Sequence, residues 1–144
     1  MQQNYKEVSI LLVEDDDIDA KGVERAFRNL KLINPVVRAK NGLEALSILR
    51  GENQETTIER PYIVLLDLNM PIMGGLEFLS EIREDETLRD TIVFVLTTSE
   101  ADEDRVAAYK EHVAGYIVKS DVRDGFNKVI EMLDHYWRVV LLPS

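Results

Sequence analysis

The run YIVLLD, from Tyr62 to Asp67, is apolar until it stops at a carboxylate. ILLV (Ile10 to Val13) and IVFVL (Ile92 to Leu96) are equally unbroken. A strand with one wet face alternates apolar and polar residues, whereas a strand without alternation is covered on both faces. Such strands, separated by stretches of helical periodicity, confine the chain to one design. It is a parallel sheet with helices on both sides, joined by helical crossovers.

The rest of the chain fits that design. VSILLV (Val8 to Val13) is the first strand, and Ile18, Val23, Phe27 and Leu30 follow at roughly helical spacing. Asn34-Pro35 introduces a short second strand, VVRAK (Val36 to Lys40). Asn41-Gly42 reads as a turn, and Leu43, Leu46 and Leu49 mark a short helix ending near Gly51. GENQETTIER (Gly51 to Arg60) is polar and aperiodic, a long loop before the third strand, YIVLLD. Leu76, Leu79 and Ile82, widened by Phe78, form the face of the third helix, after Gly74-Gly75. TIVFVLT (Thr91 to Thr97) is the fourth strand, and Val106, Ala107 and Tyr109 mark the fourth helix. GYIVK (Gly115 to Lys119) is the fifth strand. Phe126, Val129, Ile130, Leu133, Trp137, Val140 and Leu141 then give the clearest amphipathic helix. The reading is a single doubly wound α/β domain of five strands and five helices, with no linker or repeat.

Composition excludes several functions. In 144 residues, Lys plus Arg is 17 and Asp plus Glu is 27, a formal charge of −10. Such a surface repels phosphate backbones and anionic membranes, so neither nucleic acid nor membrane is an expected partner. Cysteine is absent, which removes disulfide, thiol and thiolate-metal chemistry and suits a cytoplasmic setting. The polar N-terminus MQQNYKEVS lacks the apolar core of a signal peptide, and no apolar run reaches bilayer length.

Ligands of open parallel sheets bind beyond the carboxyl ends of the strands. Glu14, Asp15, Asp16 and Asp17 follow the first strand there, and Asp67 and Asn69 follow the third. Thr97, Thr98 and Ser99 end the fourth, and Lys119 and Ser120 end the fifth. Taken singly, each has an ordinary role: Asp16 or Asp17 as a helix cap, Asp67 as a turn former, Lys119 as a solvated charge. Together they are unusual. Glu14, Asp15 and Asp67 repel one another unless a cation sits among them, and hard oxygen donors point to Mg²⁺. Lys119 and Thr97 would then hold phosphoryl oxygens, and an Asp carboxylate is an established nucleophile toward phosphorus.

LLVED (Leu11 to Asp15), LLDLNMPIMGG (Leu65 to Gly75), VLTTS (Val95 to Ser99) and GYIVK, in this order, resemble the bacterial two-component response-regulator receiver domain. The resemblance runs from about Val8 to Leu133. It is to the single-domain, CheY-like kind, whose sheet order is 2-1-3-4-5. It implies that Asp67 accepts the phosphoryl group from a sensor histidine kinase. It further implies Glu14, Asp15, Asp67 and the Asn69 carbonyl as Mg²⁺ ligands, and Thr97 and Lys119 as phosphoryl partners. Tyr116 is implied as the switch aromatic, and Asn69, Thr98 and Ser99 as residues that set phosphoryl lifetime. Such a domain catalyses only its own phosphorylation and dephosphorylation and signals through a protein partner.

Two positions depart from the pattern: Ser120 replaces the usual proline after the lysine, and Gly74 replaces the usual Asp before the third helix. Pro71 keeps its place and stiffens the loop after the phosphoacceptor. The long 51–60 loop and the ending YWRVVLLPS resemble the small regulators paired with phytochrome-type sensor kinases. A helical extension over about 134–144 is expected to form a homodimer interface, with a tail folded back on its own domain as the alternative.

Three rivals share features. An aspartate-nucleophile phosphatase needs an acid two residues after Asp67, where Asn69 stands. A flavin carrier needs a phosphate-cradling first loop, where EDDD stands. A phosphorylation-independent binding module would lack a site residue, yet all are present. His112 and His135 fall in helical stretches away from the strand ends and read as ordinary surface or boundary residues.

Overall fold

The computed structural model describes residues 7–122 and 125–144. The strands are β1 (Ser9–Val13), β2 (Val36–Ala39), β3 (Tyr62–Leu66), β4 (Ile92–Thr97) and β5 (Gly115–Val118). The helices are α1 (Asp17–Asn29), α2 (Gly42–Leu49), α3 (Gly75–Glu84), α4 (Asp102–Lys110) and α5 (Asn127–Val139). Lys119–Asp121 forms one 3₁₀ turn after β5. The strands are parallel and lie in the order β2-β1-β3-β4-β5.

Unbroken apolar strands do what their sequence demands. Along β1, Leu11 and Val13 pack toward α2, α3 and α4, while Ile10 and Leu12 pack toward α1 and α5. β3 divides likewise, with Val64 and Leu66 on one face and Ile63 and Leu65 on the other. Burying each such side chain stabilises the fold by about 1.5–3 kcal/mol.

The helix faces are narrower than the large apolar residues indicate. Ile18 is 81% exposed, and α1 buries Ala20, Val23, Ala26 and Phe27 instead. Leu43 faces solvent, while Ala45, Leu46 and Ile48 pack inward. Val106 and Tyr109 are exposed, and Ala108 is the buried residue of α4. Alanine lets these helices lie close to the sheet, which pushes the larger neighbours to the rim.

Asn41-Gly42 is a helix start rather than a free-standing turn. The Asn41 side chain accepts the Glu44 N–H at 2.8 Å and caps α2. Gly42 is required by contact, because a Cβ there would lie 2.8 Å from the Met73 carbonyl oxygen. The long 51–60 loop is fixed by Asn53, which accepts from the Glu55 and Thr56 N–H groups and donates to Ser47.

α5 stops at Val139, so the expected 134–144 extension is helical only in its first part. Val140 is extended, and Leu141 is 63% exposed rather than on a helix face. Leu142 turns back and is buried against the α1/α5 core. Pro143 cannot donate an N–H to the Val139 carbonyl, so the helix cannot run on through it.

Candidate functional site

β1 and β3 are neighbours, yet the chain leaves β1 for β2 on one side and returns to β3 on the other. That reversal opens a crevice at the carboxyl ends of β1 and β3. Glu14 and Asp67 stand just beyond these two strands. The Glu14 N–H donates to the Ala39 carbonyl at 2.9 Å, and the Asp67 N–H to the Val13 carbonyl at 3.0 Å. The sheet ladder therefore holds both backbones firmly where their side chains enter the crevice.

Carboxylate oxygens of Glu14, Asp15 and Asp67 lie within 4.8 Å of one another. Glu14 and Asp67 are buried and Asp15 is exposed, so the cluster opens to solvent on one side. Three oxygen donors at this spacing, with room for water, fit a hard divalent cation. Burial pushes the Glu14 carboxyl up to about 7, and the charge of Asp67 adds to the rise against the lowering effect of its Lys119 contact.

Asp67 is gripped asymmetrically. One oxygen, Oδ1, accepts the Thr97 hydroxyl at 2.8 Å and the Asn69 N–H at 3.2 Å. The other, Oδ2, faces the Lys119 ammonium at 3.4 Å. Thr97 is fully buried at the end of β4. Lys119 arrives from the end of β5 and lies closer to Glu14 Oε1, at 2.7 Å. Burial alone would lower the Lys119 pKa, but its hydrogen bonds to Asp19 and Glu14 and the charge of Asp67 reverse the sign, so it stays cationic.

The remaining sequence candidates form a second ring. The Asn69 side-chain amide donates to Thr98 Oγ1 at 3.3 Å. The Ser99 hydroxyl donates to Asp104 at 2.6 Å. The Tyr116 hydroxyl donates to the Ser99 carbonyl at 3.1 Å, tying β5 to the β4–α4 loop. Among the described residues the one cis peptide is Arg60–Pro61, so the Lys119–Ser120 bond is trans. Gly74 precedes α3 without a side-chain cap.

Two residues absent from the sequence reading belong to the site. Asp19, in the first turn of α1, accepts from Lys119 at 2.7 Å. Arg38, on β2, donates to the Glu14 carbonyl at 2.9 Å and to Asp17 at 2.7 Å, which fixes the acidic loop. The sequence signal for Arg38 was a charge inside an apolar strand. Asp19 gave no signal beyond ordinary helix-start acidity.

A parallel sheet of this order, with an acidic cluster around a hydroxyl-bound and lysine-facing aspartate, is the arrangement expected of a receiver domain. The sequence matches the response regulator receiver domain over residues 10–131. It is 34% identical over 137 residues to response regulator Rcp1 of Synechocystis, covering 94% of this chain and 92% of that protein. The fold is similar to the phosphorylated cyanobacterial phytochrome response regulator RcpA, with TM-score 0.86 and 35% identity over 96% of this chain and 100% of that one. It is also similar to the Mn²⁺-bound form of Rcp1, with TM-score 0.83 and 33% identity over 95% and 99% of the two chains. The chain belongs to the response regulator receiver domain family and is a CheY-like signalling protein of two-component systems.

Proposed function

We propose that this receiver accepts a phosphoryl group on Asp67 from a sensor histidine kinase of the phytochrome type. The observation that carries the reading is the asymmetry at Asp67. Its Oδ1 is committed to Thr97 and Asn69, while Oδ2 meets only the longer Lys119 contact. The Asp67 carboxylate is therefore the nucleophile. It attacks phosphorus, an O–P bond forms, and the P–N bond of the kinase phosphohistidine breaks. The imidazole leaves with the bonding pair and is reprotonated from solvent.

Glu14, Asp15, Asp67 and the Asn69 carbonyl would hold Mg²⁺, which when bound neutralises charge on the transferring oxygens. Lys119 then pairs with a phosphoryl oxygen, and Thr97 exchanges its Asp67 contact for another. Because Thr97 precedes the loop held by Tyr116, its movement reaches β5 and α4. Water later hydrolyses the acyl phosphate, past Asn69, Thr98 and Ser99. The domain is catalytic only toward its own modification, and the relatedness to RcpA supports the choice of kinase.

None of the described helices is long and apolar enough to cross a membrane. We assign the protein to the cytoplasm, with residues 1–144 as one receiver unit. A homodimer is proposed through α5 and the segment after it, where Met132, Val139 and Leu141 are exposed. Monomeric sedimentation at high concentration, with and without phosphorylation, would exclude the dimer.

The test of Asp67 is intact mass after incubation with acetyl phosphate. A gain of about 80 Da, one phosphoryl group, that requires both Mg²⁺ and Asp67 is the expected result. The same gain in Asp67→Ala refutes the assignment.

A further inference from the structure

Lys119 has three N–H donors and meets three carboxylates. Glu14 and Asp19 each lie at 2.7 Å, and Asp67 at 3.4 Å. Their settings differ. The Glu14 and Asp67 side chains are 3% and 6% exposed, whereas Asp19 is 30% exposed and comes from a helix, not from a strand end. Asp19 is also outside the cluster whose oxygens suit a divalent cation.

Lys119 and a divalent cation compete for the same two groups. Both Glu14 and Asp67 now have the ammonium as a neighbouring positive charge. A cation entering between them repels that ammonium and takes over their oxygens. If Glu14 and Asp67 were its only acceptors, Lys119 would have to give up every ion pair inside a crevice that leaves it 9% exposed. Losing all partners there is costly, because the charge remains largely desolvated. Asp19 changes that balance. It keeps one short charge-assisted hydrogen bond while the other two are surrendered.

We infer that Asp19 is a positioning residue that parks the Lys119 ammonium, so that Glu14 and Asp67 are free to take the divalent cation. This rests on the reading of the acidic pocket given above. The same tether keeps Lys119 beside the pocket, within a side-chain rotation of the group that Asp67 will carry. Asp19 touches neither the cation nor phosphorus in this role.

The test is Mg²⁺ affinity by titration calorimetry with magnesium chloride alone, on the full chain. The variants are Asp19→Asn, Asp19→Glu and Asp16→Asn. Asp16→Asn removes one unit of charge from the neighbouring loop and leaves a competent helix cap. Each is repeated in a Lys119→Met background, with circular dichroism to establish folding. Asp19→Asn should weaken Mg²⁺ binding about five- to tenfold beyond Asp16→Asn, the size of coupling usual within one ion-pair network. That excess should disappear when Lys119 is Met, and Asp19→Glu should recover part of it.

Equal losses in Asp19→Asn and Asp16→Asn, or an excess that persists without Lys119, would overturn the role of Asp19. Mg²⁺-dependent phosphorylation of Asp67 in the wild type would still stand in that case. A wild-type chain that binds no Mg²⁺ would overturn the pocket reading, and this inference with it. Should Asp19→Asn not fold, Asp19→Ser carries the same comparison, since it also removes the carboxylate.

Discussion

Gly75→Ala tests whether the packing of α3 sets the geometry of Asp67. A Cβ at Gly75 would lie 2.6 Å from the Asp67 carbonyl oxygen, 2.7 Å from Leu68 Cα and 2.8 Å from Leu68 Cδ2. Carbon atoms in contact normally stay about 3.5–4.0 Å apart, so the shortfall approaches 1 Å. The first two obstacles are backbone and cannot rotate away. Overpacking of this kind costs about 1–3 kcal/mol, here at the upper end. Ala returns up to about 1 kcal/mol through its helix propensity. The net loss is ~2 kcal/mol, which lowers the urea midpoint by about 1 M for a typical m-value. Most receivers of this size would remain folded, so function stays measurable. The displaced peptide belongs to Asp67 itself, and Mg²⁺-dependent labelling by acetyl phosphate should slow as well. Gly74→Ala is the control. Its nearest obstacles are the Leu68 and Met70 carbonyl oxygens at 3.4 and 3.9 Å, with ordinary backbone angles. It should change stability by less than about 0.5 kcal/mol. If the two alanine variants unfold at the same urea concentration, the close approach at Gly75 is not a constraint and the reasoning fails.

Other positions give sharp expectations. Arg83 donates to the carbonyls of Glu111, Arg89, Thr91 and His112 and ties α3 to two loops. Arg83→Met should cost about 3 kcal/mol in urea unfolding, and Arg83→Lys should recover little, because an ammonium cannot reproduce the planar fork. Ile72 sits at φ 70° with its side chain 76% exposed, so it bears left-handed strain without packing in return. Ile72→Asn should stabilise by about 1 kcal/mol and raise the thermal midpoint by ~3 °C; an unchanged midpoint would mean that the loop bears no strain. The Asp85 carboxyl is held below its usual range by hydrogen bonds from Thr87 and Arg50. A depressed folded pKa contributes stability above the unfolded value, about 3.9, that is lost as pH falls through the folded one. Asp85→Asn should therefore melt below wild type at neutral pH, with the two melting curves converging under about pH 4; a constant gap at all pH values would exclude an ionic origin.

The sheet was legible because its strands need no partner to announce themselves. An unbroken run such as ILLV has one use in a chain of this size. The convergence of the candidate site residues was legible for the same reason, since residues at strand ends inherit their position from the strands. Glu14, Asp67, Thr97 and Lys119 meet although up to 105 positions separate them. What escaped the sequence was carried by small or isolated residues. Ala20, Ala26, Ala45 and Ala108 define buried helix faces that the periodicity of larger side chains misplaced onto Ile18, Leu43, Val106 and Tyr109. Asp19 and Arg38 were missed because their partners are remote in sequence and neither sits at a strand end.

The site also shows why local stability and function pull apart here. A core built only for stability would not place Glu14 and Asp67 together under burial that lifts one of them to about 7. Removing Lys119 would leave that repulsion uncompensated, so the ammonium is a structural counter-ion as well as the proposed phosphoryl partner. The sheet offsets the cost with strands that are apolar on both faces, and it does so in the strands that carry the acids. β1 and β3 lie at the centre of the sheet and are buried along their whole length. Rigid central strands thus hold like charges closer than solvent would allow. The crevice is left with an excess of negative charge that a divalent cation would relieve, and the exposed side of Asp15 is open to it.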